Sequence, residues 1–137
     1  MATIFTKIVQ GEIPCFKVAE DDRFLAFLDI NPLAPGHTLV IPKEEIDYIF
    51  DIPDKLLADY FTFSKTVALA IEKVISCKRI GIAVVGLEVP HAHIHLVPLQ
   101  TIYDIDFKKP KLKLSTEELQ VIAENISASY QKLVSAG

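Results

Sequence analysis

The alternation of apolar and polar residues predicts five short strands and three helices. Apolar runs bounded by Pro, Gly, Asn or charged residues are typical of strands, and here they cover residues 16–19, 24–29, 37–41, 80–85 and 91–98. Apolar residues at helical spacing predict helices over residues 4–9, from Pro53-Asp54 to about Cys77, and from the capping pattern Ser115-x-x-Glu118 to Ser135. Residues 101–113 are predicted to form a loop with extended pieces. Strands joined by turns, with the helices grouped apart, favour an α+β fold with a largely antiparallel sheet.

The composition is typical of one globular domain spanning residues 1–137, since half of the residues are apolar and 23% are charged. No apolar run approaches the ~20 residues of a membrane span, and the first residues lack the layout of a secretion signal. We therefore expect a soluble, cytoplasmic protein with no membrane partner. Cys15 and Cys77 lack the spacing of a disulfide framework or a zinc finger. The net charge of −4 disfavours a nucleic-acid partner but allows a small anionic ligand.

Three of the four histidines, His91, His93 and His95, stand at alternate positions within five residues. Successive side chains of a strand point to opposite faces, so the three imidazoles should share one face and the apolar residues between them the other. The fourth histidine, His37, opens another predicted strand. Because imidazole serves as nucleophile, acid, base or metal ligand near neutral pH, this pattern indicates a chemical site.

The residues alone leave three interpretations of the histidine cluster open. An idle solvent-facing row is disfavoured, because residues 86–99 are otherwise nearly uncharged. Two neighbouring imidazoles of the triplet, about 6.6 Å apart along a strand, could bind one catalytic zinc ion together with His37. In the third interpretation, a neutral imidazole attacks phosphorus and forms a labile phosphoramidate, which splits one displacement into two. His93 would then have one neighbour to orient it and another to hold phosphoryl oxygens.

A series of motifs precedes the histidine cluster along the chain. They are Ile4-Phe5-x-Lys7-Ile8, Gly11-Glu12-Ile13-Pro14, Glu20-Asp21-Asp22-Arg23, Phe27-x-Asp29-Ile30-x-Pro32, Ala34-Pro35-x-His37 and Leu39-Val40-Ile41-Pro42-Lys43. Together with His91-x-His93-x-His95, they make residues 4–99 resemble the histidine triad (HIT) family, and within it the Hint branch. The resemblance implies a five-stranded antiparallel sheet with helices, and a homodimer with a continuous ten-stranded sheet. Residues 100–137 would then be a C-terminal loop and helix extension of the HIT-like domain.

The resemblance also implies a nucleotide hydrolase or transferase that needs no cofactor. His93 would attack the α-phosphate of a nucleoside monophosphate derivative and cleave a P–N or P–O bond through a nucleotidyl-histidine intermediate. A backbone carbonyl near His91 would hold the other ring nitrogen of His93. His95 would contact phosphate oxygens, His37 would support the triad, and Asp29 would accept hydrogen bonds from ribose hydroxyls. The slot for the nucleobase would be formed by Phe5, Ile8, Phe27 and Ile30.

The segment before the triad departs from the Hint pattern. Residues 83–90 form a shorter segment without Asn, and Glu88 stands where those relatives have a Ser or Thr that helps the leaving amine depart. If Glu88 is buried in the site it could act as a general acid, and it could instead favour a cationic leaving group. The departure keeps a second class open, a nucleotide-binding regulatory or interaction protein with weak catalysis. A metal-dependent hydrolase that uses the histidine cluster is the third functional class that the sequence leaves open.

Both ends of the chain depart from the pattern as well. Thr3 and Thr6 stand in the region where many relatives carry a zinc-binding Cys-x-x-Cys, so we expect no structural zinc. The Hint branch ends soon after its triad with a Trp-containing tail, whereas this chain has no Trp and continues with a loop and a helix. We expect this helix to pack on the dimer and to shape the leaving-group side. The basic run over residues 108–111 is more typical of a solvated loop than of a phosphate-binding patch, and its position after the triad strand leaves a substrate role open.

Overall fold

Within residues 2–136, which the computed structural model describes, five strands form one antiparallel sheet in the order β1-β2-β3-β5-β4. The strands are β1 (Lys17–Glu20), β2 (Phe24–Leu28), β3 (Thr38–Pro42), β4 (Arg79–Ala83) and β5 (Ile94–Leu99). The helices in the same range are α1 (Ile4–Val9), α2 (Asp54–Val74) and α3 (Thr116–Ala136), with short 3-10 turns at Ile49–Asp51 and Ile102–Ile105. This architecture confirms the predicted α+β fold with a five-stranded antiparallel sheet.

The histidine segment is the main departure from the predicted boundaries. The predicted strand over residues 91–98 is wrong in its first three residues, because β5 begins at Ile94. The backbone N–H of Ala92 donates to the carbonyl of Ile46 at 2.7 Å, outside the sheet, and β4 ends at Ala83, which pairs with His95. Residues 91–93 are therefore a connection that leads into the sheet. The start of β2 is as predicted, and the other strand ends differ by one or two residues in either direction.

The sheet has two apolar faces because neighbouring side chains along each strand alternate. One face is covered by α2 and α3, and its strand residues include Ala26, Leu28, Val40, Ile94 and Leu96. The opposite face is covered by Phe5 of α1, and its strand residues are Leu25, Phe27, Leu39 and Ile41. His95 lies between Ile94 and Leu96 in β5, so its side chain belongs to the α1 face.

Helix α3 packs within its own chain, on the side of the sheet opposite the histidines. Ser129 donates to the carbonyl of Ala70 in α2 at 2.9 Å, and the ring of Tyr130 packs edge-on against Phe63 at 5.9 Å. Within one chain the sheet separates α3 from the histidines. The expected packing of this helix on the dimer, with its effect on the leaving-group side, stays a prediction. None of the helices in residues 2–136 is long and apolar enough to cross a membrane.

Candidate active site

The turn before β3 and the strand β5 bring two buried histidines together, His37 and His95. Gly36 makes this turn with a φ of +93°, a conformation that suits glycine. The backbone N–H of Leu33 donates to Nδ1 of His37 at 3.0 Å, and Nε2 of His37 lies 3.0 Å from Nδ1 of His95. Because Nδ1 of His37 accepts, the proton of its neutral ring resides on Nε2 and is donated to His95. The remaining nitrogen of His95, Nε2, therefore carries an N–H.

Both rings of this pair are neutral near neutral pH. Burial lowers the pKa of His37 to about 3 and that of His95 to about 4, and nearby cationic groups act in the same direction. His37 is 1% exposed and His95 is 8% exposed, so a positive charge on either ring would lose most of its hydration. The pair therefore offers a fixed N–H donor rather than a positive charge.

The connection before β5 fixes the other two imidazoles through backbone carbonyls. Nε2 of His91 donates to the carbonyl of Pro42 at 2.8 Å, and Nδ1 of His93 donates to the carbonyl of His91 at 2.8 Å. Nδ1 of His91 in turn accepts from the hydroxyl of Thr3 at 3.0 Å. Within residues 2–136, Nε2 of His93 thus holds the one imidazole lone pair that is not engaged in a hydrogen bond. This atom is available as a nucleophile or a base.

Two cavities of about 300 Å³ each meet at the histidines. The residues that line both of them are Asp29, Asn31, Glu88, His93 and His95. The first cavity extends towards His37 and the loop after β5. The second is lined mainly by apolar side chains of α1, β2 and their flanking residues, including all four residues of the predicted nucleobase slot: Phe5, Ile8, Phe27 and Ile30.

Asp29 shapes the turn after β2 and also lines both cavities. Its Oδ1 accepts the backbone N–H of Asn31 at 2.9 Å, a local turn that Asp commonly forms. Its Oδ2 lies 3.7 Å from Nε2 of His37, which is too far for a hydrogen bond. Burial raises the pKa of Asp29, and the hydrogen bond from Asn31 opposes this shift. The carboxylate keeps acceptor positions for a ligand.

Glu88 lines both cavities from the segment between β4 and β5, but its side chain is exposed. The same segment contains Gly86 at a φ of +75° and Leu87, which is 88% exposed. The burial that a general-acid role for Glu88 needs is therefore not provided by the chain alone. A catalytic use of Glu88 stays a hypothesis.

The loop after β5 adds two residues that the sequence analysis did not assign to the site, Phe107 and Lys111. The ring of Phe107 packs edge-on at 4.7 Å from the ring of His95, and Nζ of Lys111 donates to the carbonyl of Phe107 at 2.6 Å. Both residues line the first cavity. The N–H of Leu112 donates to the carbonyl of Pro32 at 2.9 Å, which returns the loop to the turn after Asp29. The basic run was the only sequence signal, and a loop has no periodicity that shows where it returns.

A metal ion does not suit the cluster formed by Asp29, His37 and His95, although donor atoms of the three lie within 4.8 Å of one another. A ligating imidazole nitrogen needs a free lone pair. The N–H of Leu33 leaves the proton of His37 on Nε2, and that proton occupies the Nδ1 lone pair of His95. The hydrogen bonds therefore favour the nucleophilic interpretation of the histidines over the metal interpretation.

Comparison with known proteins identifies the family of this chain. The family model of the HIT domain matches residues 10–102. The chain belongs to the HIT family. It is 38% identical over 134 residues to the adenosine 5'-monophosphoramidase of Schizosaccharomyces pombe, across 96% of this chain and 100% of that protein. It is 31% identical over 129 residues to the adenylylsulfatase HINT3 of Arabidopsis thaliana, across 88% of this chain and 66% of that protein.

A solved structure shares the whole architecture of this HIT protein. The zinc-bound histidine triad family protein from Mycobacterium smegmatis superimposes with a TM-score of 0.82 and 28% sequence identity, over 100% of this chain and 99% of that chain. The residues matched by the HIT domain model end at 102, before Phe107 and Lys111. These two residues of the site therefore lie outside the match to the family model.

Proposed function

We propose that this HIT protein is a nucleotide hydrolase or transferase that cleaves a P–N or P–O bond at the α-phosphate of a nucleoside monophosphate derivative. The observation that carries the proposal is the free lone pair on Nε2 of His93, a residue that lines both cavities. Two relatives, named as an adenosine 5'-monophosphoramidase and an adenylylsulfatase, support substrates with an adenylyl group. Their names also agree with a leaving group bonded through nitrogen in one case and through oxygen in the other.

The second cavity suits a nucleobase because its walls are largely apolar. The rings of Phe5 and Phe27 pack edge-on at 5.7 Å and form its rigid part, while Ile30 is 60% exposed and would be covered by a bound base. Asp29 uses one carboxylate oxygen for Asn31 and would accept the ribose hydroxyls with its remaining lone pairs. This placement puts the α-phosphate near His93 and His95, where the two cavities meet.

The reaction would consist of two displacements at phosphorus. In the first, Nε2 of His93 forms a bond to phosphorus, and the bond to the leaving group breaks with its electron pair on that group, which takes up a proton from solvent to depart as a neutral amine or an alcohol. In the second, water attacks the nucleotidyl-histidine and releases a proton to solvent, and the electron pair of the P–N bond returns to Nε2. The carbonyl of His91 stabilises the charged ring by accepting from Nδ1. The Nε2–H of His95 is the donor for phosphate oxygens, and loss of one such donor costs about 10²–10³-fold in kcat.

Mass spectrometry after brief mixing with a reactive adenosine phosphoramidate tests this mechanism. We expect a nucleotidyl adduct on His93 in the parent protein, and neither an adduct nor turnover in His93→Ala. The variant should keep most of its affinity for AMP, because the base slot and Asp29 are unchanged. Normal turnover by His93→Ala would contradict the assignment.

A nucleotide-binding protein with weak catalysis is the second candidate, and the exposed Glu88 at the position of a Ser or Thr favours it. A parent protein that binds AMP but forms no adduct and releases no nucleotide would support this class. A parent protein that shows neither binding nor an adduct would exclude nucleotides as ligands. Turnover that disappears with a chelator and returns with added metal would support the metal-dependent alternative.

A homodimer through β4 is part of the proposal. Strand β4 lies at an edge of the sheet, where its backbone groups are available to another strand. Ile82 of β4 is 52% exposed, and Phe61 of α2, which lines the same surface groove, is 42% exposed. Pairing of β4 with its copy in a second chain would cover these side chains and give the continuous ten-stranded sheet.

A further inference from the structure

A second polar cluster is built around the first histidine of the triad. It consists of Thr3, Thr6, Glu45 and His91, and we call it the N-terminal latch. Oε1 of Glu45 accepts from the hydroxyl of Thr6 at 2.6 Å and from the backbone N–H of Thr3 at 2.9 Å. The hydroxyl of Thr3 contacts Nδ1 of His91 at 3.0 Å and accepts from the backbone N–H of Thr6 at 3.0 Å. None of these four residues is among those that line the two cavities.

The partners of the latch fix where its protons reside. Since Nε2 of His91 donates to the carbonyl of Pro42, Nδ1 of the neutral ring accepts, and the hydroxyl of Thr3 must donate to it. The hydroxyl of Thr6 donates to Glu45. Burial lowers the pKa of His91, and the hydrogen bonds from Thr6 and Thr3 lower the pKa of Glu45. A neutral imidazole and a carboxylate are the states that this pattern of hydrogen bonds requires.

The latch connects to the active site by two routes. The carbonyl of His91 accepts from Nδ1 of His93 at 2.8 Å, and the imidazole of His91 is held at both nitrogens. Thr3 is also the N-cap of α1, which carries Phe5 to within 5.1 Å of the ring of His93. The backbone at His91 is also held by the Ala92 N–H, which donates to the carbonyl of Ile46 at 2.7 Å. The latch adds contacts to the imidazole of His91 and to the start of α1, the two groups next to the ring of His93.

Structural zinc does not suit these residues, even though the structural neighbour from Mycobacterium smegmatis is described as zinc-bound. Structural zinc sites are built mainly from Cys thiolates and imidazoles. In the latch the corresponding atoms are two hydroxyls and a carboxylate, and the Nδ1 lone pair of His91 already accepts from Thr3. Hydrogen bonds already engage the Nδ1 lone pair of His91, both threonine hydroxyls and Oε1 of Glu45.

We propose that Thr3, Thr6 and Glu45 are positioning residues for the reaction. They hold His91 so that its carbonyl keeps the proton of His93 on Nδ1 and leaves Nε2 as the nucleophile. The role in catalysis rests on the proposed function of His93, whereas the control of its proton does not. Removal of a positioning contact of this kind typically costs about 10- to 100-fold in rate.

Thr3→Ala, Thr3→Ser and Glu45→Ala test the latch, with Ser115→Ala as the matched control. Ser115 accepts from the backbone N–H of Glu118 at 3.1 Å at the start of α3, so its loss removes a helix cap far from the site. The readouts are kcat and KM on an adenosine phosphoramidate, and nitrogen NMR shifts of the His93 ring, which report its tautomer without turnover. Metal analysis of the purified parent protein checks for zinc.

We expect Thr3→Ala to lower kcat about 10- to 100-fold, with a smaller change in KM, and to move part of the His93 proton to Nε2. Thr3→Ser should restore both readouts, because it retains the hydroxyl, and Ser115→Ala should change neither. If Thr3→Ala fails to fold, Glu45→Ala should show the same effects more weakly. Parent values of kcat and an unchanged tautomer in both variants would overturn the proposal, as would stoichiometric zinc in the parent. If the parent forms no adduct, the tautomer shifts alone decide the role of the latch.

Discussion

The buried histidine pair predicts that the protein loses stability as the pH falls through the range in which free histidine titrates. The pKa of His37 is about 3 and that of His95 is about 4, against an ordinary value of 6.5. Below pH 6.5 the histidines of the unfolded chain bind protons that those of the folded chain do not. The free energy of unfolding therefore falls with falling pH until the pH reaches the pKa values of the folded protein. Between pH 7 and pH 5, each of the two rings should cost about 2 kcal/mol of stability.

Denaturation by urea at pH 7, 6 and 5 measures this loss. The chain has no Trp, so far-ultraviolet circular dichroism is the suitable signal, and linear extrapolation gives the free energy of unfolding at each pH. His37→Gln removes one of the two titrating groups and should reduce the loss between pH 7 and pH 5 by about 2 kcal/mol. Val67→Ala, in the fully buried part of α2, is the control, because it lowers stability without changing a titrating group.

The result that would refute this reasoning is a parallel pH dependence of the parent and His37→Gln. The other three histidines are present in both proteins, so the comparison isolates the contribution of His37. If the free energy of unfolding of both proteins fell equally between pH 7 and pH 5, His37 would take up its proton in the folded protein over the same range as in the unfolded chain. The hydrogen bond that it donates to His95, and with it the argument against a metal, would then need revision.

Three further perturbations test other parts of the site. Phe107→Ala removes the ring that packs on His95 and should raise the pKa of His95 by about one unit in an NMR titration, because water would reach the imidazole. An unchanged pKa would show that Phe107 does not shield His95 from water. Ile82→Lys should convert a dimer into a monomer in sedimentation velocity, and a monomeric parent would contradict the proposed dimer. If Glu88 is the general acid, Glu88→Gln should lower turnover about 10²-fold or more on a poor leaving amine; equal turnover of the two proteins would end that hypothesis.

The fold could be predicted from the sequence because its signals are local. Apolar runs and turn residues located the five strands, and the alternation of His93 and His95 with apolar residues placed their rings on one side of the chain. The carbonyl that holds His93 belongs to His91, two residues away, and is also a short-range feature. The strand was predicted too far towards His91, because alternation does not show where a neighbouring strand stops pairing.

The rest of the site could not be predicted because it depends on contacts between distant parts of the chain. His37 and His95 are 58 residues apart, and Thr3 and His91 are 88 residues apart. Pairing of β3 with β5 brings the first pair together, and packing of α1 against the sheet brings the second pair together. No spacing along the sequence reports either contact. Phe107 is a further case, since the loop that carries it is anchored through the backbone of Pro32.

Backbone groups decide what each of the four histidines can do. The N–H of Leu33 makes His37 a donor, which leaves His95 with a donor for a ligand, while the carbonyl of His91 makes Nδ1 of His93 a donor and frees Nε2. Two neighbouring imidazoles in one site therefore present opposite hydrogen-bonding properties to a ligand. In the proposed reaction, one ring would attack phosphorus and the other would bind its oxygens, although their side chains are identical. Three histidines at alternate positions in a sequence are therefore compatible with both metal binding and catalysis. The backbone partners of each ring are needed to distinguish the two.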